Sequence, residues 1–373
     1  MVANPLRSDI LFHGYYGRMN TGDDAFIEVA SWGALKYWRK SNNVFLCNKN
    51  RLPLTCTKVR GYPLSIPKSY RVQSRLLLQF TDYFVSAGGS TLNKKIRKYE
   101  IKDLAKKMKE SNSNIKLGAI GVSIGPFFTA EDELSTVEYL KSIDFLAVRD
   151  EESFKYASSL NLPYKVVNSF DLAALLPNIY GLKNNDKRDK KVIGISVCPY
   201  ESVVKNHDIK SEHKRNANMV ELLKLLDRQS NIHMKFFVIN GEARLGDEKL
   251  TRETVSLVSP KSFEIIPYSK NTYTMWNQIA KCDFVISTRL HAAIFACFSN
   301  TPFMLNEYHR KCANFLSDID HDESLRLFNN EYEPKEKAKK IIDIIENKDI
   351  YSEPKNLEKM KKKAELNFTG VDI

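Results

Sequence analysis

Apolar runs alternate with helical patterns along this chain, and that alternation leaves it few folds. "DILFHGYY" (9–16) reads as a strand and "TGDDAFIEVASWGALKYWRK" (21–40) as the helix after it. Asp23 and Asp24 fall in the first turn of that helix, where carboxylates complement the dipole. "YFVSAGG" (83–89) reads as a strand ending in two glycines, and "KLGAIGVSIGP" (116–126) as a strand ending in a Gly-Pro turn. "TAEDELSTVEYLKSI" (129–143) is a helix opened by a capping box from Thr129 to Asp132. "DFLAVRD" (144–150) is a strand followed by the helix "EESFKYASSLNL", and "YKVVNSFDLAALL" (164–176) a strand and a short helix.

The polar stretch "GLKNNDKRDKK" (181–191) has almost nothing to bury, and the rhythm restarts after it. Strands are expected at "VIGISVCPY" (192–200), "HMKFFVIN" (233–240), "FEIIPYS" (263–269), "DFVIST" (283–288) and "PFMLNEY" (302–308). Helices are expected at "NANMVELLKLLDRQ" (216–229), "TYTMWNQIAKC" (272–282), "LHAAIFACFSN" (290–300) and "PKEKAKKIIDIIENKD" (334–349). A chain of 373 residues exceeds one ordinary core. Strands alternating with helices predict parallel sheets covered on both faces. The expected fold is α/β: two Rossmann-like domains, residues 1–183 and 184–335, with sheets facing a cleft, and a basic helical tail over 336–373. Ligands of such sheets sit at the carboxyl ends of the strands.

Hydrophobic residues make up 43% and charged residues 27%, as in soluble globular proteins. No apolar run approaches the roughly 20 residues of a membrane-spanning helix. The start "MVANPLRSDILFHGYYG" lacks an apolar stretch followed by a cleavage site, so a cytoplasmic protein is expected. The six cysteines (Cys47, Cys56, Cys198, Cys282, Cys297 and Cys312) form no CxxC pair and read as buried reduced thiols. The formal net charge of +12 calls for acidic partners. Part of it lies in "KKIRKYEIKDLAKKMKE" (94–110), read as a helix with an apolar stripe at Ile101, Leu104, Ala105 and Met108. That segment is either a solvated helix face or a peripheral contact with an anionic bilayer. Nucleic acid has no supporting motif and is not an expected partner.

Polar groups just after the strands fall in five places. "GYYGRMNTGDDA" (14–25) and "SAGGSTLN" (86–93) are glycine turns, read either as plain turns or as close approaches of backbone to a ligand. "GVSIGPF" (121–127) is a turn first. In "AVRDEES" (147–153), Arg149 either forks onto an anion or joins a structural ion pair beside a helix cap. In "STRLHAAIFA" (287–296), Arg289 and His291 fall at the start of a helix, where the dipole disfavours cations. An anion between them would resolve that conflict; otherwise they are a surface arginine and a packed histidine. "NEYHRKCANFL" (306–316) adds Lys311. A small, highly charged anion fits this set better than a dinucleotide. Catalysis would then rest on cations and a histidine acid or base, with no metal and no cofactor.

Taken in order, "GYYGRMNTGDDA", "SAGGSTLN", "GVSIGPF", "VRDEES", "FDLAALLP" and "STRLHAAIFACFSNTPFMLNEYHRKCANFL" resemble the blocks of polysaccharide pyruvyl transferases, over residues of about 10 to 320. The resemblance implies two Rossmann-like domains as in GT-B glycosyltransferases. It implies transfer of pyruvate from phosphoenolpyruvate to a sugar or lipid-linked oligosaccharide, forming a cyclic ketal and releasing phosphate. The donor set it implies is Arg149, Ser287, Arg289, His291 and Lys311; the catalytic pair is His291, as general acid or phosphate ligand, and Arg149, which with Arg289 would clamp the anion and stabilise the departing phosphate. Tyr16, Asn20, Thr21, Asp23, Asp24, Gly88, Gly89, Ser90 and Asp171 are read as acceptor-binding or loop residues, and ketal formation needs a carboxylate base, Asp23, Asp24 or Asp171. "SAGGST" is less glycine-rich than the family's usual run, and "NEYHRK" is a variant loop. Two other readings stay open: a GT-B glycosyltransferase using a nucleotide-sugar, and a non-catalytic anion-binding protein.

Overall fold

The computed structural model describes residues 6–111, 114–182, 189–203, 208–229, 231–329 and 331–373. The chain forms two compact units. The first holds the residues up to Arg18, Asp23–Ile179 and Glu358–Ile373; the second holds Met19–Gly22 and Tyr180–Leu357. The expected boundary between residues 183 and 184 lies outside the described residues.

The first unit carries strands β1 (Ser8–His13), β2 (Asn43–Asn48), β3 (Arg60–Tyr62), β4 (Thr81–Leu92), β5 (Lys116–Ile124), β6 (Phe145–Val148) and β7 (Val166–Asn168). They pair in parallel in the order β3-β2-β1-β4-β5-β6-β7. The second unit carries β8 (Lys191–Ser196), β9 (Ile232–Phe237), β10 (Phe263–Ile266), β11 (Phe284–Ser287), β12 (Phe303–Asn306) and β13 (Arg326–Leu327). These too pair in parallel, in the order β10-β9-β8-β11-β12-β13. The expected α/β class with two doubly wound parallel sheets is therefore what the chain forms. In each sheet the strand order reverses once, between β1 and β4 and between β8 and β11. Ligand crevices of such sheets open at that reversal.

Central strands buried on both faces must be apolar throughout. Ile10, Leu11 and Phe12 of β1 have no exposed surface, nor do Phe284, Val285 and Ile286 of β11. In the second unit Met219, Leu222, Leu223 and Leu226 of the helix Ile209–Asp227 and Ile341, Ile344 and Ile345 of the helix Pro334–Glu346 share one core with these strands. The stretch 336–373 holds most of that helix and a further helix, Leu357–Thr369, which belongs to the first unit. There the buried Asn367 accepts from Gly121 N at 2.6 Å and Ser169 Oγ at 2.8 Å, and donates to Phe170 O at 2.8 Å. Its amide thereby satisfies backbone groups that burial would otherwise leave unpaired.

The expected capping box is present: Thr129 Oγ1 accepts from Asp132 N, and Asp132 accepts from Thr129 N. Two expectations need correction. The segment 94–110 is helical only from Ile101 to Glu110, because Tyr99 takes φ +69° and turns the chain before the helix starts. Strand β4 runs past its two glycines to Leu92; Gly88 and Gly89, both at φ +76°, carry it through a register shift against β5. All six cysteines are free thiols, and Cys56 alone among them is exposed.

Two buried histidines make the fold sensitive to acid. His321 stacks on Phe303 at 4.4 Å, and burial pushes its pKa down to about 4, against weaker upward pulls from the Phe303 backbone and Asp322. Burial, with Lys102 nearby, pushes His13 down to about 3. Both are held neutral in the fold yet protonate near 6.5 in the unfolded chain. Their contribution is intact above pH of about 6.5 and is lost as pH falls toward 4 and 3, at up to about 1.4 kcal/mol per pH unit for each group. Urea denaturation across that range should show stability falling with acid, and His321→Phe should flatten the slope.

Candidate functional site

The carboxyl ends of β8 and β11 meet at the reversal of the second sheet. Thr288 N donates to Ser196 O at 2.7 Å and holds the two ends together. Ser287, fully buried, donates Oγ to Arg289 O at 2.6 Å. Arg289 is the N-cap residue of the helix Leu290–Phe298, and its side chain makes no cap hydrogen bond. Its Nε instead donates to Asp247 Oδ1 at 2.8 Å, and its Nη2 reaches the same oxygen. Asp247 has no exposed surface and takes Asn240 N on its other oxygen at 2.9 Å. Burial pushes the Asp247 carboxyl up while Arg289 opposes it. Burial alone would weaken the Arg289 guanidinium, but the Asp247 carboxylate that it hydrogen-bonds opposes this, so Arg289 stays charged. Its side chain keeps 19% of its surface exposed.

His291 lies in the first turn of the same helix. The segment Met19–Gly22 comes to it through Thr21 N and Thr21 Oγ1 on Ile239 O, at 3.0 and 3.1 Å, and Gly241 N on Met19 O at 2.8 Å. Asn20 Oδ1 accepts from Gly22 N at 3.0 Å. A Cβ added to Gly22 would fall on the imidazole ring of His291. The second unit thus joins Asn20, Thr21 and Gly22 to Ser287, Arg289 and His291.

The end of β12 completes this edge. Tyr308 lies edge-on to Tyr200 at 4.9 Å, with the Arg215 guanidinium 5.4 Å from its ring. Arg215, 1% exposed, pairs with Glu201 through two hydrogen bonds of 2.9 and 2.7 Å. Burial pushes the Tyr308 hydroxyl well up and the Cys198 thiol up to about 11. Both stay protonated at neutral pH, so neither adds negative charge. Lys311, in the first turn of the helix Arg310–Asp318, donates its backbone N to His309 Nδ1 at 3.0 Å. That nitrogen is an acceptor and carries no proton in this arrangement.

The first unit has its own polar edge. Arg149, 7% exposed, follows β6 and donates Nε to Ser123 Oγ and Nη1 to Asp171 Oδ2, both at 2.8 Å. Asp150 accepts from Ser153 N and caps the helix Glu151–Ser159, and also accepts from Ser123 Oγ at 2.6 Å. The structural ion pair and the helix cap weighed for "VRDEES" are thus both formed. Asp171 also takes Ala173 N at 2.9 Å. Residues 121–125 read G-V-S-I-G, the spacing of a hydrolase nucleophile elbow. Ser123 lies within β5, however, and a carboxylate and a guanidinium hold its hydroxyl. Tyr16 donates to Ala87 O at 2.8 Å from a buried position, and Gly88 lies against the ring of Phe26. Asp23 and Ser90 are partly exposed, whereas Asp24 is 1% exposed.

Asp247, Glu201, Arg215, His13 and Lys102 were not singled out by sequence reasoning. Only "LFHG" carried a signal, a histidine at a strand end. Buried Lys102 donates to Thr91 O, and burial pushes its pKa down to about 8. Among the described residues no group of three or more His, Cys, Asp or Glu side chains is arranged to hold a metal ion, and no helix is long and apolar enough to cross a membrane.

The family model for polysaccharide pyruvyl transferases matches residues 20–310. The chain belongs to that family. The match spans Arg149 in the first unit and Arg289 and His291 in the second. No curated protein matches this pyruvyl transferase family member significantly. Among solved structures it is similar to the Staphylococcus aureus MnaA–UDP complex, with 11% identity, TM-score 0.59, and 96% of this chain and 92% of that one covered. It is similar to the UDP-GlcNAc 2-epimerase of Neisseria meningitidis bound to UDP-GlcNAc, with 11% identity, TM-score 0.57, and 96% and 98% covered. It is also similar to the UDP-GlcNAc 2-epimerase of Methanocaldococcus jannaschii, with 13% identity, TM-score 0.56, and 95% and 98% covered. At these identities the likeness is one of fold.

Removing one partner of a buried ion pair strands the other charge. Asp247→Ala should destabilise the protein by about 3 kcal/mol in chemical denaturation. The double variant Asp247→Ala/Arg289→Met should recover much of the loss. A double variant no more stable than Asp247→Ala would show that Arg289 is not left as a stranded charge.

Proposed function

We propose that the protein transfers pyruvate from phosphoenolpyruvate to two hydroxyls of a sugar, in a surface or cell-wall polysaccharide or its lipid-linked precursor. The observation that carries this reading is Arg289: a charged arginine, its side chain partly exposed, at the strand-order reversal of the second sheet, capping a helix whose first turn holds His291. Phosphoenolpyruvate brings a carboxylate and a phosphate, and cations at a helix N-terminus suit both groups.

The chemistry balances without a further reactant. His291 protonates the methylene carbon, C2 becomes electrophilic, and one sugar hydroxyl attacks it. The C2–O bond to phosphate breaks, and the second hydroxyl closes the ring. Of the two hydroxyl protons, one is accounted for by the new methyl group and the other by the released phosphate. Arg289 and Lys311 stabilise the departing phosphate. Ser287 positions Arg289 through its backbone oxygen. For the base, partial exposure favours Asp23 over the buried Asp24 and over Asp171, whose oxygens are already engaged. Arg149 enters as the support of the first sheet's carboxyl edge through Asp171. Side chains supply the charge compensation in this reading, so no metal is required. The protein would act in the cytoplasm, beside the inner face of the membrane where lipid-linked precursors stand.

Incubation with phosphoenolpyruvate and glycosides of galactose, glucose and N-acetylmannosamine should release phosphate and yield a ketal methyl signal by NMR. Chelator should leave the rate unchanged. His291→Ala should lower kcat by roughly 10²–10⁴-fold, and Arg289→Met should raise the KM for phosphoenolpyruvate. Consumption of a UDP-sugar with no phosphate release from any glycoside would instead mark a nucleotide-sugar enzyme.

A further inference from the structure

In the first unit, the helix Tyr70–Gln79 turns a face to solvent that is both aliphatic and cationic. Arg71, Val72, Arg75 and Leu76 are exposed on it, while Gln73, Ser74, Leu77 and Leu78 are buried. Val72 leaves 59% of its surface in water, and Leu64 and Ile66 just before the helix leave 55% and 56%. Those two are held beside the helix. Gln73 accepts from Leu64 N at 2.8 Å and donates to Leu64 O at 2.9 Å, and Ser69 Oγ donates to Ile66 O at 2.6 Å.

On the far side Tyr99 is exposed, with Arg75, Lys98 and Lys107 at 5.8, 5.1 and 5.6 Å from its ring centre. Arg75, Leu78 and Gln79 share a groove with Leu104, Lys107 and Met108 of the helix Ile101–Glu110. The two segments therefore make one continuous strip. Residues 64–79 carry Lys68, Arg71 and Arg75 and no carboxylate. Residues 94–110 carry eight lysines and arginines against Glu100, Asp103 and Glu110. Of these Lys102 is buried, Lys95, Lys107 and Lys109 pair with Glu131, Asp103 and Asp144, and Lys106 lies 3.9 Å from Glu110, which leaves Lys94, Arg97 and Lys98. Much of the chain's excess of +12 is gathered here.

We propose that this strip docks the protein on an anionic bilayer surface. Its lysines and arginines meet lipid phosphates, and Leu64, Ile66, Val72 and Leu76 enter the headgroup boundary. Cations alone would fit any polyanion. Aliphatic side chains held rigidly beside them gain only where an apolar phase lies next to the negative charge, which is the boundary of a charged bilayer. A single-stranded nucleic acid would instead reward aromatic stacking platforms, and Tyr99 is the strip's one exposed aromatic apart from Phe80 at the end of the helix. This deepens the reading of a lipid-linked acceptor and rests on that reading for its purpose, while vesicle binding is measured without turnover.

The full chain is sedimented with phosphatidylcholine vesicles with and without phosphatidylglycerol, at low and high salt. Binding is expected only with phosphatidylglycerol and should weaken with salt. Arg71→Glu/Arg75→Glu and Val72→Asp/Leu76→Asp should each lower the partition coefficient at least about tenfold. Because these side chains are exposed, the variants should keep the wild-type melting temperature and wild-type phosphate release with a soluble glycoside. Failure to bind phosphatidylglycerol vesicles, wild-type binding by both folded variants, or capture of an oligonucleotide or acidic protein without any vesicle binding would overturn the proposal. Vesicle binding by a protein that releases no phosphate would count against the pyruvyl transfer reading alone.

Discussion

A carboxylate with no exposed surface must be paired, and Asp247 is the group on which the second unit's working edge is built. One oxygen takes Arg289 and the other takes the backbone of Asn240. The first bond sets where the guanidinium stands after β11; the second closes the loop after β9. The backbone on either side of Asn240 is also the anchor for Met19–Gly22, through Ile239 O and Gly241 N. A single desolvated charge thus ties together a strand end, a loop and a segment from far up the chain. The pairing also explains why a cation can sit at a positive helix end. Asp247 offsets the helix dipole beside Arg289.

The first unit solves a similar problem with different groups. Arg149 is more deeply buried than Arg289, and Ser123 and Asp171 engage its fork. Asp150 closes the set by capping the next helix and accepting from Ser123. Asn367 does comparable work for neutral groups, joining the last helix to Gly121, Ser169 and Phe170. Each cluster stands at or near a strand end because the middles of the central strands, covered on both faces, hold apolar side chains. Burial also explains the inert thiols: Cys198 is pushed up to about 11, away from the pKa of a nucleophile.

The basic segments tell a different part of the story. From composition, 94–110 reads as one lysine-rich helix. Tyr99, at a positive φ, splits it and faces solvent among three cations. The helix packed against it, Tyr70–Gln79, hides its period in the consecutive leucines Leu76, Leu77 and Leu78, of which the first is exposed and the other two are buried. An aliphatic residue on the water side looks the same in sequence as one in the core.

Most strands, though not β2, β3 or β13, their parallel pairing, the Thr129 capping box and the motifs that carry the family were readable from residue order, because each rests on local period or local hydrogen bonding. Arg289 and His291 could be singled out because cations at a helix start oppose a dipole that sequence already predicts. Asp247 could not, nor could the closeness of Gly22 to His291, nor the joining of the last helix to the first unit. Those depend on which loops meet once the two sheets have formed, and a buried charge finds its partner only through the tertiary fold.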